Sequence, residues 1–271
     1  MSRTRDRAPA RRRGRVPAAL LIPAGLGLLF LVLPLAGLVV RAPWSTLPER
    51  LTTPGALTAL RLSVQTATAA TVLCLLLGVP LAWLLARVEF PGRRLVRALV
   101  TVPLVLPPVV GGVALLLVFG RRGLLGGWLD ATFGVTLPFT TAGVVLAESF
   151  VAMPFLVIAV EGALRAADHR YEEAAATLGA SRWTTFTRVT LPMVAPGLAA
   201  GAVLCWARAL GEFGATITFA GNYPGRTQTM PLAVYLALET DLEAAIVLSL
   251  VLLVVSVGIL VALRDRWMTT S

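Results

Sequence analysis

Two ionisable residues, Arg208 and Glu212, lie four positions apart in a stretch of the chain that is otherwise apolar or small. In or near a membrane such charges are expected to face the inside of a helix bundle and to pair with each other. As an ion pair they would neutralise both charges and stabilise a bend at Gly211 and Gly214. In the alternative interpretation Arg208 attracts an anion and Glu212 holds the arginine in place.

Three further polar residues extend this set. Thr216 and Thr218 add hydroxyl donors just after Glu212, although a threonine in a membrane helix commonly bonds its own backbone. Glu148 interrupts a different apolar stretch, and its position is equally compatible with the interior of a bundle and with a helix boundary. These side chains are the candidates for a polar path through an apolar protein.

Side chains that support catalysis or metal binding are scarce. All 24 basic residues are Arg, so the chain lacks the Lys that a Walker A loop places on nucleotide phosphates. The single His169 has no ligand cluster around it, and Cys74 and Cys205 lie inside apolar runs, as packed thiols do. We therefore predict no catalytic site, no metal site and no cofactor. An integral membrane enzyme would need a cluster of His, Asp or Ser near one membrane face, and the sequence offers none.

The composition indicates a membrane protein. The 271 residues are 57% apolar and only 14% charged, and the mean hydropathy is +0.82, whereas soluble domains are about a quarter charged. A helix needs about 20 apolar residues to cross the hydrocarbon core. Five uncharged runs meet that length, and a sixth is weakened by Glu148. We predict an all-α integral membrane protein with transmembrane helices near residues 16–40, 62–86, 98–120, 141–161, 189–207 and 244–263.

The arginines predict the orientation of these helices. With six helices and a cytoplasmic N-terminus, the cytoplasmic segments hold 17 Arg and the outer segments 6, while Arg208 falls within a helix. By the positive-inside rule both termini are then cytoplasmic, with an Arg-rich tail at residues 1–15 and a second tail at residues 265–271. The net charge of +10 therefore indicates contact with membrane lipid and not with nucleic acid.

Two of the predicted helices allow another interpretation. The first, at residues 16–40, is too long for a signal peptide and lacks a cleavage site, so we expect it to be retained. The third contains Pro103, Pro107 and Pro108. For this helix we favour an ordinary kink over an unwound, ligand-binding break. No internal repeat supports an inverted-repeat transporter.

A short helix is predicted between the fourth and fifth membrane helices, on the cytoplasmic side. Asp168 can cap it, Glu172 and Glu173 suit its first turn, and Gly179 can end it. A second helical stretch, Ser181 to Thr190, follows, and Leu191-Pro192 begins the next membrane helix. The residues alone favour a simple connecting helix.

The same stretch resembles the EAA motif of the permease subunits of binding-protein-dependent ABC importers. That resemblance implies the type I (MetI-like) permease fold, with a permease core at residues 60–264 and a coupling segment at residues 168–192. It also implies that this helix docks on a separate ATPase subunit, and that the chain itself is not an enzyme. The matching residues, and the coupling residues it implies, are Glu173, Ala174, Ala175, Gly179, Leu191 and Pro192, with Val189 where Ile is usual.

Other stretches resemble the molybdate permeases and their sulfate and thiosulfate relatives. They are Pro103 to Gly112, Gly120 to Gly123 with Phe133 to Thr136, and Ala207 to Phe219 with the following segment up to Pro231. The resemblance implies a pore subunit for molybdate in the cell membrane of a prokaryote. Its translocation path or gate would involve Arg208, Glu212, Thr216 and Thr218.

The resemblance also implies partners and leaves rivals open. ABC ATPase subunits and an external molybdate-binding protein are expected. The binding protein would dock on the outer segments 41–61 and 220–243. A homodimer of permease subunits is expected, because two ATPases imply two coupling helices. The rival solutes are sulfate, thiosulfate, tungstate, a polyamine or iron, and the rival mechanism is a channel that works without ATP.

Overall fold

The computed structural model describes residues 18–268, and this part of the chain is helical without any strand. The prediction of an all-α protein is confirmed. The predicted Arg-rich tail at residues 1–15 lies outside the described residues, as do residues 269–271 of the predicted C-terminal tail. Two compact units divide the chain after Ala42, and each is described by itself.

The first unit contains helix α1 (Ala18–Val40), which has 23 residues and no charged side chain. At a rise of 1.5 Å per residue it is about 35 Å long, enough to cross the hydrocarbon core. Pro23 and Pro34 lie inside it. The helix agrees with the first predicted span.

The second unit contains the remaining helices, four of which are long and apolar enough to cross a membrane. These are α3, α7, α13 and a continuous helix formed by α9, a π-helical turn and α10. The bounds are α2 (Leu47–Leu51), α3 (Pro54–Arg87), α4 (Arg93–Val105), α5 (Pro108–Phe119), α6 (Gly126–Phe133), α7 (Thr141–Ala166), α8 (Arg170–Thr177), α9 (Arg182–Thr185), the π-helical turn (Phe186–Thr190), α10 (Leu191–Leu210), α11 (Gly214–Ala220), α12 (Met230–Thr240) and α13 (Leu242–Met268).

The third predicted span is not one helix. The chain bends by 118° between α4 and α5, so the expectation of an ordinary kink over residues 98–120 is wrong. Leu106 and Pro107 are extended between the two helices, with ψ angles of 130° and 132°. A residue before proline is pushed out of the helical region, and proline gives no backbone N–H to continue a helix. The described residues therefore contain five helices of spanning length, or six if the bent pair counts as one span.

Helix α7 lies at the centre of the second unit and packs mainly against α3 and α10. Small residues bring these helices close together, as is usual in membrane bundles. A Cβ atom on Gly78 would lie 3.3 Å from the side chains of Leu156 and Val157, and one on Gly197 would overlap the Cβ of Ala163. Both cysteines are buried in this core as free thiols, as predicted from their apolar surroundings: Cys74 and Cys205.

The fifth predicted span begins earlier than expected, at Arg182 instead of Val189. The π-helical turn ends at Thr190, two residues before Pro192. Because proline lacks the N–H that would bond to Arg188, and its ring crowds that carbonyl, the backbone widens at this point and the helix continues. The membrane helix and the second cytoplasmic helix are thus one element.

Candidate functional site

The predicted cytoplasmic helix is present as α8, with the expected signals at its ends. The Asp168 carboxylate accepts a hydrogen bond from the backbone N–H of Arg170 at 3.0 Å. Gly179 has a φ of +79°, a left-handed conformation that glycine adopts without strain. Its N–H and that of Ala180 donate to carbonyl groups of the last turn. Gly179 therefore follows the end of the helix as the sequence indicated. At the start, His169 occupies the N-cap position without a side-chain cap, and Asp168 bonds the first helical residue from one position earlier.

The exposed residues of α8, of the turn after it and of α9, here called the docking surface, include large apolar side chains. The docking surface consists of Tyr171, Leu178 and Trp183 together with the motif residues Glu173, Ala174 and Gly179, all of them exposed. Leu178 is 88% exposed. Tyr171 and Leu178 are seven positions apart, a spacing that returns to nearly the same side of a helix. Large apolar side chains that remain exposed are typical of a surface for contact with another protein.

The neighbouring glutamate points the other way. The Glu172 carboxylate lies 2.9 Å from the Arg87 guanidinium at the end of α3, and it accepts a hydrogen bond from the Thr190 hydroxyl at 2.8 Å. Arg87 also contacts a ring nitrogen of His169 at 2.6 Å, and its side chain is only 6% exposed. This group, the anchor, fixes α8 to α3 and to the start of α10.

The two ends of the EAA-like motif meet through the anchor. Thr190 directly precedes Leu191 and Pro192, and Glu172 directly precedes Glu173. The hydrogen bond from Thr190 to Glu172 therefore joins the exposed α8 to the start of α10. The anchor thus connects α8 to both α3 and α10.

The second candidate region is the break between α10 and α11. Arg208 and Glu212 are in contact at 2.7 Å, and their side chains are 26% and 1% exposed. The helix ends at Leu210, so the two residues do not share a helix face as predicted. Instead the ion pair spans the break. The other Glu212 oxygen accepts a hydrogen bond from the backbone N–H of Ala215 at 2.8 Å, which fixes the start of α11.

The two threonines that follow differ from each other. The Thr218 hydroxyl donates to the carbonyl of Gly214 at 2.7 Å, the backbone bond that the sequence analysis weighed against a role in the path. The Thr216 side chain is fully buried, and within residues 18–268 its hydroxyl has no hydrogen-bond partner.

Helix α5 packs tightly on α11. A Cβ atom on Gly112 would lie 2.6 Å from the Cβ of Thr218 and 2.9 Å from the carbonyl oxygen of Ala215. On the other helix, a Cβ atom on Gly214 would lie 2.8 Å from the Cβ of Pro108. Gly112 and Gly214 thus both allow the close contact between α5 and α11, and this contact encloses the break.

Glu148 is an interior residue and not a boundary residue. It is 1% exposed, in the middle of α7, and it accepts a hydrogen bond from the Thr66 hydroxyl of α3 at 2.9 Å. The Glu212 carboxyl group is close enough to Glu148 for their charges to repel each other. Thr66 and the anchor residues Arg87, Glu172 and Thr190 were missed by sequence reasoning. Each depends on a partner distant in sequence, and only the position of Arg87 at the end of an uncharged run gave a signal.

A third polar contact ties α2 to the corner between α12 and α13. Arg50 donates hydrogen bonds to the carboxylates of Asp241 at 2.6 Å and Glu243 at 2.9 Å. The hydrogen bond from Arg50, with a second from the backbone N–H of Ala244, lowers the pKa of Asp241 below its usual range. All three charged side chains are at least partly exposed, so this contact holds the corner together and is no buried site.

Comparison with known families and sequences places this geometry in context. Residues 78–270 match the family described as "Binding-protein-dependent transport system inner membrane component". The molybdenum transport system permease protein ModB of Mycobacterium tuberculosis is 51% identical over 93% of this chain and 95% of its own length. ModB of Escherichia coli is 42% identical over 78% and 92%. The sulfate transport system permease protein CysT of Escherichia coli is 37% identical over 92% and 93%.

Solved structures show the same fold at low identity. A bacterial ABC transporter involved in the import of alginate aligns with a TM-score of 0.72 and 19% identity, covering 93% of this chain and 95% of its own. The MetNI methionine ABC transporter aligns with a TM-score of 0.63 and 18% identity, covering 80% and 96%. The prediction of an ABC importer permease fold is confirmed.

Proposed function

Because the chain belongs to the family of inner membrane components of binding-protein-dependent transport systems, we propose that it is the pore-forming permease subunit of an ATP-driven importer for molybdate. The observation that carries the proposal is the 51% identity to a molybdenum permease over nearly the whole length of both chains. The identity to the sulfate permease is lower, at 37%. Sulfate, thiosulfate and tungstate remain the alternative solutes.

The ATPase would be a separate chain that binds the docking surface. Exposed Tyr171, Leu178 and Trp183 supply apolar contact area, and Glu173 is exposed on the same helix as Tyr171. Glu173, Ala174, Ala175 and Gly179 are proposed as the docking contact, with Leu191 and Pro192 beginning the membrane helix that receives the movement. The chain itself is then no enzyme, and the assembled transporter hydrolyses ATP on its partner.

The remaining parts of the assembly follow from the same proposal. Two permease subunits form the pore, so that two coupling helices meet two ATPases. An external molybdate-binding protein docks on the outer segments 41–61 and 220–243. The permease crosses a prokaryotic cell membrane several times, surrounded by lipid and with both termini in the cytoplasm. ATP binding brings the two copies of α8 together and opens the outer side, and hydrolysis resets the pore.

Uptake into proteoliposomes tests the proposal. The permease, its ATPase and its binding protein are reconstituted, and uptake of molybdate, tungstate and sulfate is measured with and without internal ATP. We expect ATP-dependent molybdate uptake that excess sulfate does not suppress. Sulfate uptake without molybdate uptake would replace the proposed substrate, and uptake by the permease alone would establish a channel.

A further inference from the structure

A stripe of polar side chains runs along the exposed side of α3. Its members are Thr58, Arg61, Gln65 and Thr68, all of them exposed. With 3.6 residues per turn they lie within about 80° of one another around the helix, and they extend over about 15 Å of its length. Arg61 is about 39 Å along the helix from Arg87, which holds the anchor at the other end. The stripe is therefore at the end of α3 remote from the docking surface.

The polar groups of this stripe differ from those on the buried side of the same helix. There the Ser63 hydroxyl accepts a hydrogen bond from the backbone N–H of Met230 at 2.7 Å, and Thr66 bonds Glu148. In the stripe, the side chains of Arg61 and Gln65 make no ion pair or hydrogen bond with any other described residue. Their donors are available to a ligand.

A lipid environment does not suit these two side chains. Arg61 ends the outer segment 41–61 and Gln65 lies in the first turn of the predicted span 62–86, so both lie near the outer membrane boundary. There a charge and an unbonded amide are satisfied by water and are costly against hydrocarbon. The other spanning helices of this unit expose apolar side chains in their central turns, for example Ile158 in α7, Leu204 in α10 and Val254 in α13. The polar side of α3 is thus distinct from the surfaces that suit lipid.

We propose that the outer half of the translocation pathway runs along this stripe, and that Arg61 and Gln65 bind the tetrahedral oxyanion there as it passes. The inference rests on the proposed function. Arginine offers five N–H donors and a permanent charge, and the glutamine amide offers two more donors one turn further along. An oxyanion has only acceptors, so both side chains match it, and the charge of Arg61 favours entry of a dianion.

The contacts of α10 agree with this location. The Trp206 indole donates to the Thr68 hydroxyl at 3.1 Å, which brings α10 beside the inner end of the stripe. By contrast, Glu212 and Thr216 are buried, and neither can touch a passing solute unless the break around them opens. The stripe, and not the break, therefore offers the first contacts for the anion.

Cysteine labelling in the assembled transporter tests the inference. Gln65→Cys is compared with Leu77→Cys, a control on the same helix whose native side chain is apolar and 55% exposed. Proteoliposomes of the full complex are treated with membrane-impermeant methanethiosulfonates, one anionic and one cationic, without nucleotide and with a non-hydrolysable ATP analogue. We expect Gln65→Cys to react in at least one state and Leu77→Cys in neither. Equal failure of both would overturn the pathway.

A second variant tests the charge of Arg61. In the Gln65→Cys background, Arg61→Gln is expected to slow anionic labelling and to speed cationic labelling about fivefold each, the effect of one unit charge at about 4 Å in water. The ratio of anionic to cationic labelling rates should therefore fall about 30-fold. Molybdate should slow labelling of Gln65→Cys. An unchanged ratio, or protection by phosphatidylglycerol vesicles and not by molybdate, would show a lipid contact and overturn the proposal.

The labelling does not depend on the identity of the solute. If Gln65→Cys labels as expected and the wild-type complex carries sulfate but no molybdate, the proposed substrate fails and the pathway along α3 stands. If the wild-type complex imports molybdate and Gln65→Cys is unreactive in both states, the pathway fails and the proposed function stands.

Discussion

The docking segment, which comprises α8 with its docking surface and its anchor, and the break between α10 and α11 differ in how their charged side chains are paired. In the docking segment the charged side chains divide by direction: Glu172 is bonded inward to Arg87, and Glu173 is exposed. At the break, Arg208 and Glu212 form an ion pair with each other, and the Gly112 and Gly214 contacts enclose the region. The first arrangement leaves a surface for a partner and a rigid link behind it. The second holds a break in the chain closed.

The largest effect is expected at the break, where Glu212→Leu removes both the partner of Arg208 and the acceptor for the N–H of Ala215. Breaking a buried ion pair from one side costs about 3–5 kcal/mol. Because Arg208 is 26% exposed and can turn toward water, we expect about 3 kcal/mol. The measurement is the free energy of unfolding in a dodecyl sulfate titration of the detergent-solubilised protein.

The matched control for that prediction is the double variant Arg208→Met with Glu212→Leu. It leaves no unpaired charge, so it should lose less stability than Glu212→Leu alone. A double variant that loses as much as the sum of the two single variants would mean that the ion pair does not stabilise the break, and the contrast between the two regions would then disappear.

The next largest effect is expected on the docking surface. Gly179→Arg puts a bulky side chain on that surface at a residue whose φ is +79°, a backbone that costs a non-glycine residue about 1–2 kcal/mol. We expect the affinity for the ATPase subunit to fall about 100-fold, which corresponds to about 2.7 kcal/mol. Pull-down and titration with the ATPase measure it, and the variant should still insert in the membrane.

Glu173→Lys serves as the companion variant, because it changes the charge of the docking surface without straining the backbone. It should weaken ATPase binding less than Gly179→Arg does. If neither variant changes ATPase binding, the docking surface is wrongly assigned.

The anchor should behave differently from the surface beside it. Glu172→Gln removes the charge opposite Arg87 and keeps an acceptor for Thr190. We expect ATPase binding to be kept and ATP-driven uptake to fall about tenfold, the effect of about 1.4 kcal/mol of lost coupling. Uptake and binding are measured on the same preparation. Loss of binding in Glu172→Gln, equal to that in Glu173→Lys, would contradict the division between anchor and docking surface.

The local structure of the docking segment was predictable, and its orientation was not. Asp168 and Gly179 signal the ends of α8 by their own backbone preferences, so the sequence alone places the helix. Glu172 and Glu173 are adjacent and identical in type, and only the position of Arg87, 85 residues away from Glu172, decides which of the two is bonded inward. A partner so distant in sequence leaves no local pattern.

The break and the third span show the same limit in another form. The spacing of Arg208 and Glu212 predicted their ion pair but not that the helix ends between them. Pro107 and Pro108 marked a perturbation of the third span, but a kink and a 118° break share that signature. The angle depends on how closely Gly112 can approach α11, which is a property of the packed bundle.

The smallest effect is expected for Thr216→Val, which replaces a hydroxyl by a methyl group of similar size. Within the described residues the Thr216 hydroxyl has no hydrogen-bond partner, and a buried unbonded hydroxyl costs about 1–3 kcal/mol. The substitution should therefore leave stability unchanged or raise it by about 1 kcal/mol, and the concentration of substrate that gives half-maximal uptake should not change.

Thr218→Val is the matched control, since it loses the bond to Gly214 and should destabilise by about 1 kcal/mol. If Thr216→Val instead weakens uptake at low substrate concentration, its hydroxyl contacts the anion. The break would then open during transport, and the difference between a sealed break and an exposed docking segment would hold only in the state described.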